Sequence, residues 1–218
     1  MPLAGVETDC CLTRDGALVL LHDTFLPKSL GIDGWAGSHT ATELTSAPLL
    51  TSEGERSNQF PLLIEDVLDD PRLADKLLQL EVKSFCDPDL AMRTAAAVGR
   101  AVDAAQRPNE TTEIISFWPE ACEVAAAAGF MTRLIVAAPY APDKFAAWAK
   151  AGGIGGAILE AHYWSWRVVD TWRDAGLSVM SGVVNEPELA MYLLRFNPDA
   201  LATDAPHELG AALHAAVA

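Results

Sequence analysis

The amino-acid sequence predicts an α/β protein in which the short strands of a parallel sheet alternate with longer helices. From residue 78 onward, six β-prone or apolar runs are each followed by an Ala-rich stretch of helical length. This alternation is typical of repeated βα units. The predicted strands are residues 78–82, 112–116, 133–137, 156–159, 178–183 and 200–203. The predicted helices are residues 89–106, 119–128, 141–151, 165–175, 186–195 and 206–216.

The ends of several predicted helices carry residues that suit them. Asp87 and Asn185 each precede a proline by one or two positions, which predicts N-caps with proline in the first helical turn. Gly129 and Gly176 stand where a helix commonly ends on a glycine. These signals support the helical assignments on both sides of the predicted strands.

The first quarter of the chain follows a different pattern. Residues 5–12 and 17–21 read as two strands joined by a tight turn at Asp15-Gly16. Residues 26–60 form a polar stretch without a clear period, and so long a loop in a compact domain is usually functional or disordered. Counting the strand at residues 5–12 with the six later ones predicts seven parallel strands.

Size and charge restrict the classes of function. At 218 residues, half of them hydrophobic, the chain is long enough for one substantial core, and we expect one domain. A net charge of −15 argues against nonspecific binding to nucleic acid or to an anionic membrane surface. An anionic small-molecule substrate would need a metal ion, a few placed basic side chains or backbone amides to hold it.

The cysteines and the apolar runs bear on the cellular compartment. Cys10, Cys11, Cys86 and Cys122 show no metal-ligand spacing, and we expect them to be reduced thiols, mostly buried. No stretch is long and apolar enough to predict a transmembrane segment. As written, the sequence predicts a cytoplasmic protein.

Five charged or titratable side chains lie at or near predicted strand ends. Glu7 and Asp9 are two residues apart on one strand, so they share a face and could hold one cation together. His22 directly follows an apolar run, and Glu81 and Lys83 end a core strand on one face. Taken singly, each has an ordinary interpretation, as a polar strand face, a solvated histidine or a structural ion pair.

In order along the chain, however, these residues belong to blocks that resemble the glycerophosphodiester phosphodiesterase family. The blocks are Val6-Glu7-Thr8-Asp9, Leu12-Thr13-Arg14-Asp15-Gly16, Leu21-His22-Asp23 and Leu80-Glu81-Val82-Lys83. Residues 183–185 and 202–206 likewise resemble the family's last two strand ends, so that the resemblance covers nearly the whole chain.

This resemblance implies a TIM-type (β/α) barrel of the phospholipase C-like phosphodiesterases and metal-dependent hydrolysis of glycerophosphodiesters to glycerol 3-phosphate and an alcohol. It implies that Glu7, Asp9 and Glu81 hold one divalent cation, Mg²⁺ or Ca²⁺. Lys83 would bind the phosphate, and His22 would act as general acid or base. All five residues would lie at the exit ends of the barrel strands, where such enzymes build their active sites.

Two departures from the family pattern matter. Family members begin with a strand ending in His-Arg-Gly, followed by a helix, and the first residues here match the end of that helix. We therefore expect residues 1–218 to be a single domain lacking its first strand, its first helix and one of two catalytic histidines, with open barrel edges that favour self-association. A signal peptide could have preceded such a start. Residues 181–185 also lack the family's usual strand tryptophan, which bears on substrate preference.

Three alternatives stay open at this point. The chain could be a truncated, catalytically impaired or inactive relative that keeps the metal carboxylates. It could be a phospholipase D of the spider-venom type, which also uses Glu-x-Asp on this barrel, although the blocks around His22 and Glu81 match the hydrolase pattern better. An aldolase-like barrel with Lys83 as Schiff-base nucleophile would need a desolvated lysine, which three nearby carboxylates oppose.

Overall fold

The computed structural model describes residues 3–217, and these divide into two compact units. The first unit comprises residues 4–131, and the second comprises residues 132–217 together with Leu3. In the first unit the strands are Gly5–Leu12 (β1), Leu18–Leu20 (β2), Leu77–Val82 (β3) and Thr112–Ser116 (β4). Its α-helices are Ala41–Thr45 (α1), Ile64–Leu68 (α2), Pro88–Ala104 (α3) and Pro119–Ala127 (α4), with short 3₁₀ turns at Ala36–Ser38, Pro71–Leu73 and Asn109–Thr111.

The sheet of the first unit has the order β2, β1, β3, β4, in which β1, β3 and β4 are parallel. The antiparallel β2 returns through a tight turn at Gly16, whose φ of +84° suits glycine. Because β2 pairs with β1 from Cys10 to Leu12, it covers part of an edge that the sequence had led us to expect open.

Side-chain alternation along β3 separates the core from the site. Leu78, Leu80 and Val82 point into a core formed with α3, where Val98 is fully buried. The intervening residues, among them Glu81, point to the opposite face. Burying each large apolar side chain contributes about 1.5–3 kcal/mol, so this alternation strongly favours one register of β3.

Residues 26–60 have no regular period, as expected, but they are ordered and bury apolar side chains in a small core. Leu26 and Leu44 are fully buried and pack with apolar residues of β1 and β2. Helix α1 begins with a capping box, in which Thr40 accepts from the backbone N–H of Glu43 while the Glu43 carboxylate accepts from that of Thr40. Because the buried residues lie at irregular spacings, the sequence showed no period from which to predict them.

The second unit contains the parallel strands Met131–Val136 (β5), Gly156–Leu159 (β6) and Ser178–Ser181 (β7). Its α-helices are Pro142–Gly152 (α5), Trp166–Asp174 (α6), Pro187–Leu194 (α7) and Pro206–Val217 (α8), with a 3₁₀ turn at Ala161–Tyr163. The seventh parallel strand predicted at residues 200–203 pairs with β7 and the residues after it, although not as a regular strand. The backbone N–H of Ser181 donates to the carbonyl of Ala200 at 3.0 Å and that of Val184 to the carbonyl of Ala202 at 2.9 Å, and Val183 and Ala202 form a parallel bridge.

Asn185 is not the helix N-cap that the sequence predicted. Glu186, rather than Asn185, is the residue that precedes α7, and it makes no side-chain cap. The Asn185 amide oxygen accepts from the Thr203 hydroxyl at 3.0 Å and from the backbone N–H of Asp204 at 3.0 Å. Asn185 therefore ties the segment after β7 to the segment that leads into α8.

The cysteines follow the prediction of reduced thiols. All four are thiols outside any disulfide, and Cys86 is exposed whereas Cys10, Cys11 and Cys122 are buried. Burial raises the pKa of Cys11 and that of Cys122 to about 12. The buried thiols are therefore protonated and unreactive at neutral pH.

Candidate metal and phosphate site

Two neighbouring parallel strands bring three carboxylates to one face of the first unit. In the register of β1 with β3, Asp9 lies directly opposite Glu81. Glu7 precedes Asp9 by two residues and therefore shares its face. One ligand oxygen from each of the three carboxylates lies within 4.8 Å of the others. The structure thus brings together all three residues that the sequence singled out as metal ligands.

Lys83 lies against two of these carboxylates. Its Nζ is 2.9 Å from Oδ1 of Asp9 and 2.6 Å from Oε1 of Glu81, and its side chain is mostly buried. The backbone N–H of Lys83 donates to the carbonyl of Cys10 at 3.0 Å, which continues the ladder between β1 and β3. The ladder therefore holds the ammonium group at the carboxyl end of both strands.

Burial and charge act in opposite directions on this cluster. Burial raises the pKa of the Glu81 carboxyl, and the Lys83 ammonium offsets only part of that rise. Burial also works against the charged form of Lys83, but the carboxylates of Glu81 and Asp9 outweigh it and raise the pKa of Lys83. One ammonium thus compensates the two carboxylates that it contacts incompletely, and this leaves excess negative charge beside it.

The chemistry of the cluster fits a hard divalent cation. Oε1 of Glu81 is buried and lies 2.6 Å from Nζ of Lys83. Buried carboxylates are costly unless cations compensate them, and a single ammonium cannot neutralise both Glu81 and Asp9. An all-oxygen donor set is the kind that Mg²⁺ and Ca²⁺ prefer.

His22 lies beside the carboxylates because of a backbone contact. The backbone N–H of Leu21 donates to the carbonyl oxygen of Asp9 at 3.1 Å, and His22 is the next residue. The His22 ring is largely exposed, and its Nδ1 lies 3.0 Å from Oδ1 of Asp23. Since a carboxylate can only accept, Nδ1 donates to it, which leaves Nε2 available for proton transfer.

An open cavity of about 430 Å³ lies next to the charged cluster. Its wall includes three of the five predicted site residues: the proposed acid or base His22, the metal ligand Glu81 and the phosphate-binding Lys83. Lys28 and Asp23 also line it, and sequence reasoning assigned neither of them a role. The only sequence signal for Asp23 was its place beside His22, and Lys28 lies in the stretch that was read as an aperiodic loop.

Sequence reasoning also assigned no role at this cavity to its aromatic side chains. Phe25, Phe85, Phe117 and Trp118 line the same cavity, and three of them are exposed phenylalanines. These residues are distant in sequence and follow different strands, so no local spacing connects them. Each of them lies in the segment that follows a strand, β2, β3 or β4, and this is the shared signal that could have identified them.

The chain resembles known proteins over nearly its whole length. The sequence profile of the family described as "Glycerophosphoryl diester phosphodiesterase family" matches residues 1–208. The uncharacterized protein YqiK of Bacillus subtilis is 24% identical over 215 residues, which cover 96% of this chain and 86% of YqiK.

Solved structures share the fold. A phosphodiesterase of Oleispira antarctica, solved in complex with the product sn-glycerol-3-phosphate, is 23% identical with a TM-score of 0.82, over 96% of this chain and 85% of that one. A glycerophosphodiester phosphodiesterase of Parabacteroides distasonis is 24% identical with a TM-score of 0.76, over 99% and 85%. The fold class is therefore the α/β, TIM-barrel-like class that the sequence predicted. Within residues 3–217, no helix has the length and apolar character needed to cross a membrane.

Proposed function

Because the chain belongs to the glycerophosphoryl diester phosphodiesterase family and is thereby a phosphoric diester hydrolase, we propose that it cleaves glycerophosphodiesters to glycerol 3-phosphate and an alcohol. Such diesters remain when both acyl chains have left a phospholipid. One divalent cation, Mg²⁺ or Ca²⁺, is the proposed cofactor. Since the family profile runs through both compact units, we also propose that residues 1–218 act as one domain of this family.

The observation that carries the proposal is the cluster at the ends of β1 and β3. Glu7, Asp9 and Glu81 present oxygens within 4.8 Å of one another, and Lys83 lies beside them at the wall of a cavity. Glu7, Asp9 and Glu81 would hold the cation. When bound, the cation would neutralise charge on a phosphate oxygen and orient the attacking hydroxyl.

Lys83 supplies positive charge to the phosphate in this scheme. Its ammonium is paired with Asp9 and Glu81, and the four-carbon stem lets it turn towards a phosphate oxygen in the adjoining cavity. Because the chain carries a net charge of −15, such local positive charge is what an anionic substrate requires.

His22 moves the proton. Asp23 accepts from Nδ1 and so fixes the tautomer, which leaves Nε2 to take a proton from the attacking hydroxyl or to return one to the leaving alcohol. The exposed position of the ring lets it reach a substrate in the cavity. An imidazole is the side chain best suited to take up and return a proton near neutral pH.

The test is turnover of glycerophosphocholine and glycerophosphoethanolamine with Mg²⁺, with Ca²⁺ and with a chelator. We expect cation-dependent release of glycerol 3-phosphate, and we expect Glu81→Gln to lower kcat/KM by about 10²-fold or more because a cation ligand is lost. Glu65→Gln, on the exposed face of α2, is the matched control and should leave turnover unchanged.

Two results would contradict the proposal. Turnover that a chelator does not affect would remove the cation from the mechanism. Cation binding without turnover of either substrate would instead identify the chain as the impaired relative considered above.

A further inference from the structure

The outward side of α7, in the second unit, combines exposed apolar side chains with a charge at each end. Met191 and Tyr192 are 43% and 45% exposed, whereas Leu193 points to the opposite side and is fully buried. Glu188 lies in the first turn of the helix and Arg195 at its end. We call the four residues Glu188, Met191, Tyr192 and Arg195 the α7 face. Exposed apolar surface on a helix usually marks an interaction site when it is contiguous.

The spacing of the four residues places them on one side of the helix. Met191, Tyr192 and Arg195 follow Glu188 by three, four and seven positions. At 3.6 residues per turn, the four side chains fall within an arc of about 100°. Arg195 shares this arc because its φ of −62° and ψ of −28° continue the helical backbone. The α7 face therefore runs from an acid through two apolar residues to a base, over about 10 Å.

Neither terminal charge of the α7 face is neutralised by an ion pair. In the part of the chain that the structure describes, no salt bridge includes Glu188 or Arg195. The Arg195 guanidinium lies over the Tyr192 ring, with its central carbon 5.8 Å from the ring centroid. This cation–π contact holds the guanidinium beside the apolar residues. The α7 face thus offers one acidic and one basic group to a partner.

The exposed apolar surface continues on both flanks of the α7 face. Trp166, at the start of α6, is 52% exposed, and its ring centroid lies 4.7 Å from that of the buried Phe196. Tyr192 contacts the same ring at 5.5 Å, which places Trp166 next to the α7 face. Leu194, on the other flank, is 44% exposed. These side chains enlarge the area that a partner could cover.

From these observations we infer that the α7 face binds the α7 face of a second copy of this chain, with the two helices antiparallel about a two-fold axis. In such a pair, each residue lies opposite the residue that is equally far from the midpoint of the face on the other copy. Glu188 and Arg195 are equally far from that midpoint, so each Glu188 meets Arg195 of the other copy. The same symmetry sets Met191 against Tyr192 and buries both.

The positions of the charges select this arrangement. A parallel pair of the same helices would set Glu188 against Glu188 and Arg195 against Arg195, and facing like charges disfavour it. A phospholipid surface fits less well, because lipid would take the Glu188 carboxylate out of water without a placed cation to compensate it. The net charge of −15 also opposes an anionic bilayer.

The size of the surface sets the expected affinity. A two-turn helix with its flanks gives an interface near the low end for specific complexes, about 1,000 Å² in total. We therefore expect a reversible dimer with a Kd on the order of 10 μM.

Sedimentation equilibrium of the full chain tests the inference. Between about 1 and about 300 μM, the mean mass should rise from the monomer value of 23.3 kDa towards twice that value. Glu188→Arg and Arg195→Glu should each raise the Kd of the dimer at least about tenfold, because each change sets like charges opposite one another twice. Glu208→Arg is the matched control, since Glu208 lies in the first turn of α8 as Glu188 does in α7. It should leave the Kd unchanged.

An equimolar mixture of the two charge variants tests the geometry itself. In a heterodimer of Glu188→Arg with Arg195→Glu, both contacts between positions 188 and 195 again join opposite charges. We expect the mixture to dimerise with a Kd near that of the wild type, although neither variant does so alone. Such rescue would also show that both variants are folded.

Several outcomes would overturn the inference. A wild-type chain that stays monomeric at about 300 μM would do so at a concentration well above the expected Kd. Self-association that the charge variants leave unchanged would locate the contact on another surface, and a mixture that stays monomeric would exclude the antiparallel pairing. Binding of the monomer to phosphatidylcholine vesicles, abolished by Tyr192→Ala and without self-association, would assign the surface to lipid instead. None of these measurements involves turnover, so each leaves the proposed function standing.

Discussion

Replacing Lys83 with methionine should destabilise the protein much more in a chelator than in a saturating divalent cation. Lys83 is the cationic side chain in contact with Asp9 and Glu81, and methionine retains most of its apolar stem. Without the ammonium, three carboxylates whose ligand oxygens lie within 4.8 Å of one another repel each other at a mostly buried site. A bound cation would replace the missing charge.

The magnitude follows from the contacts. At an effective dielectric constant of about 20, unit charges separated by 2.9 Å and by 2.6 Å attract by about 6 kcal/mol each. Most of this gross energy is offset by the cost of removing the charges from water. Breaking a buried pair by deleting one partner costs about 3–5 kcal/mol net. The carboxylates can relieve repulsion by taking up a proton, so we expect about 3 kcal/mol, or a fall in Tm of about 6–12 °C for a chain of this size.

Thermal unfolding with and without the cation is the assay. At one cation concentration the variant should gain more stability than the wild type, because its site lacks the competing ammonium and binds the cation more tightly. Each tenfold fall in Kd adds about 1.4 kcal/mol, so a fall of about 10²-fold would restore most of the loss in Lys83→Met. Lys76→Met is the matched control, because Nζ of Lys76 pairs with the exposed Asp75 at 3.3 Å. An exposed pair is worth at most about 1 kcal/mol. A fall in Tm that is equal in chelator and in cation, or no fall at all, would refute the reasoning.

Three further predictions concern proton transfer, thiol reactivity and packing. His22→Asn should lower kcat by about 10²-fold or more with nearly unchanged cation affinity by calorimetry, and near wild-type kcat would remove His22 from the mechanism. Native alkylation near pH 7.5 followed by mass spectrometry should label the exposed Cys86 and spare the three buried thiols, which react only after unfolding. Gly156→Ala should cost about 2 kcal/mol or more in chemical denaturation, because its Cβ would lie 2.2 Å from the Ser178 carbonyl oxygen. Gly210→Ala, in open space on α8, should be neutral or stabilising, and equal effects of the two substitutions would contradict the packing argument.

Much of the site could be predicted from the sequence because it depends on local periodicity. Side chains two apart on a strand share a face, so Glu7 and Asp9 had to lie together once residues 5–12 were recognised as a strand. The same alternation buries Leu80 and turns Glu81 to the other face. The alternation of strands and helices could also be predicted from local periodicity, because strands and helices differ in the period of their apolar residues.

Only the tertiary structure decided how distant segments meet. The register of β1 with β3 sets Asp9 opposite Glu81, and it places the Lys83 ammonium between two carboxylates. The rings of Phe25, Trp35 and Phe85 contact one another although these positions share no period, and the buried residues of the 26–60 stretch are likewise irregular in sequence. The predicted strand at residues 200–203 pairs with residues 181–184 through a bridge and backbone hydrogen bonds without becoming a regular strand. Local patterns determine which face a side chain takes within its own element, whereas contacts between elements depend on the packing of the whole core, which no short stretch of sequence encodes.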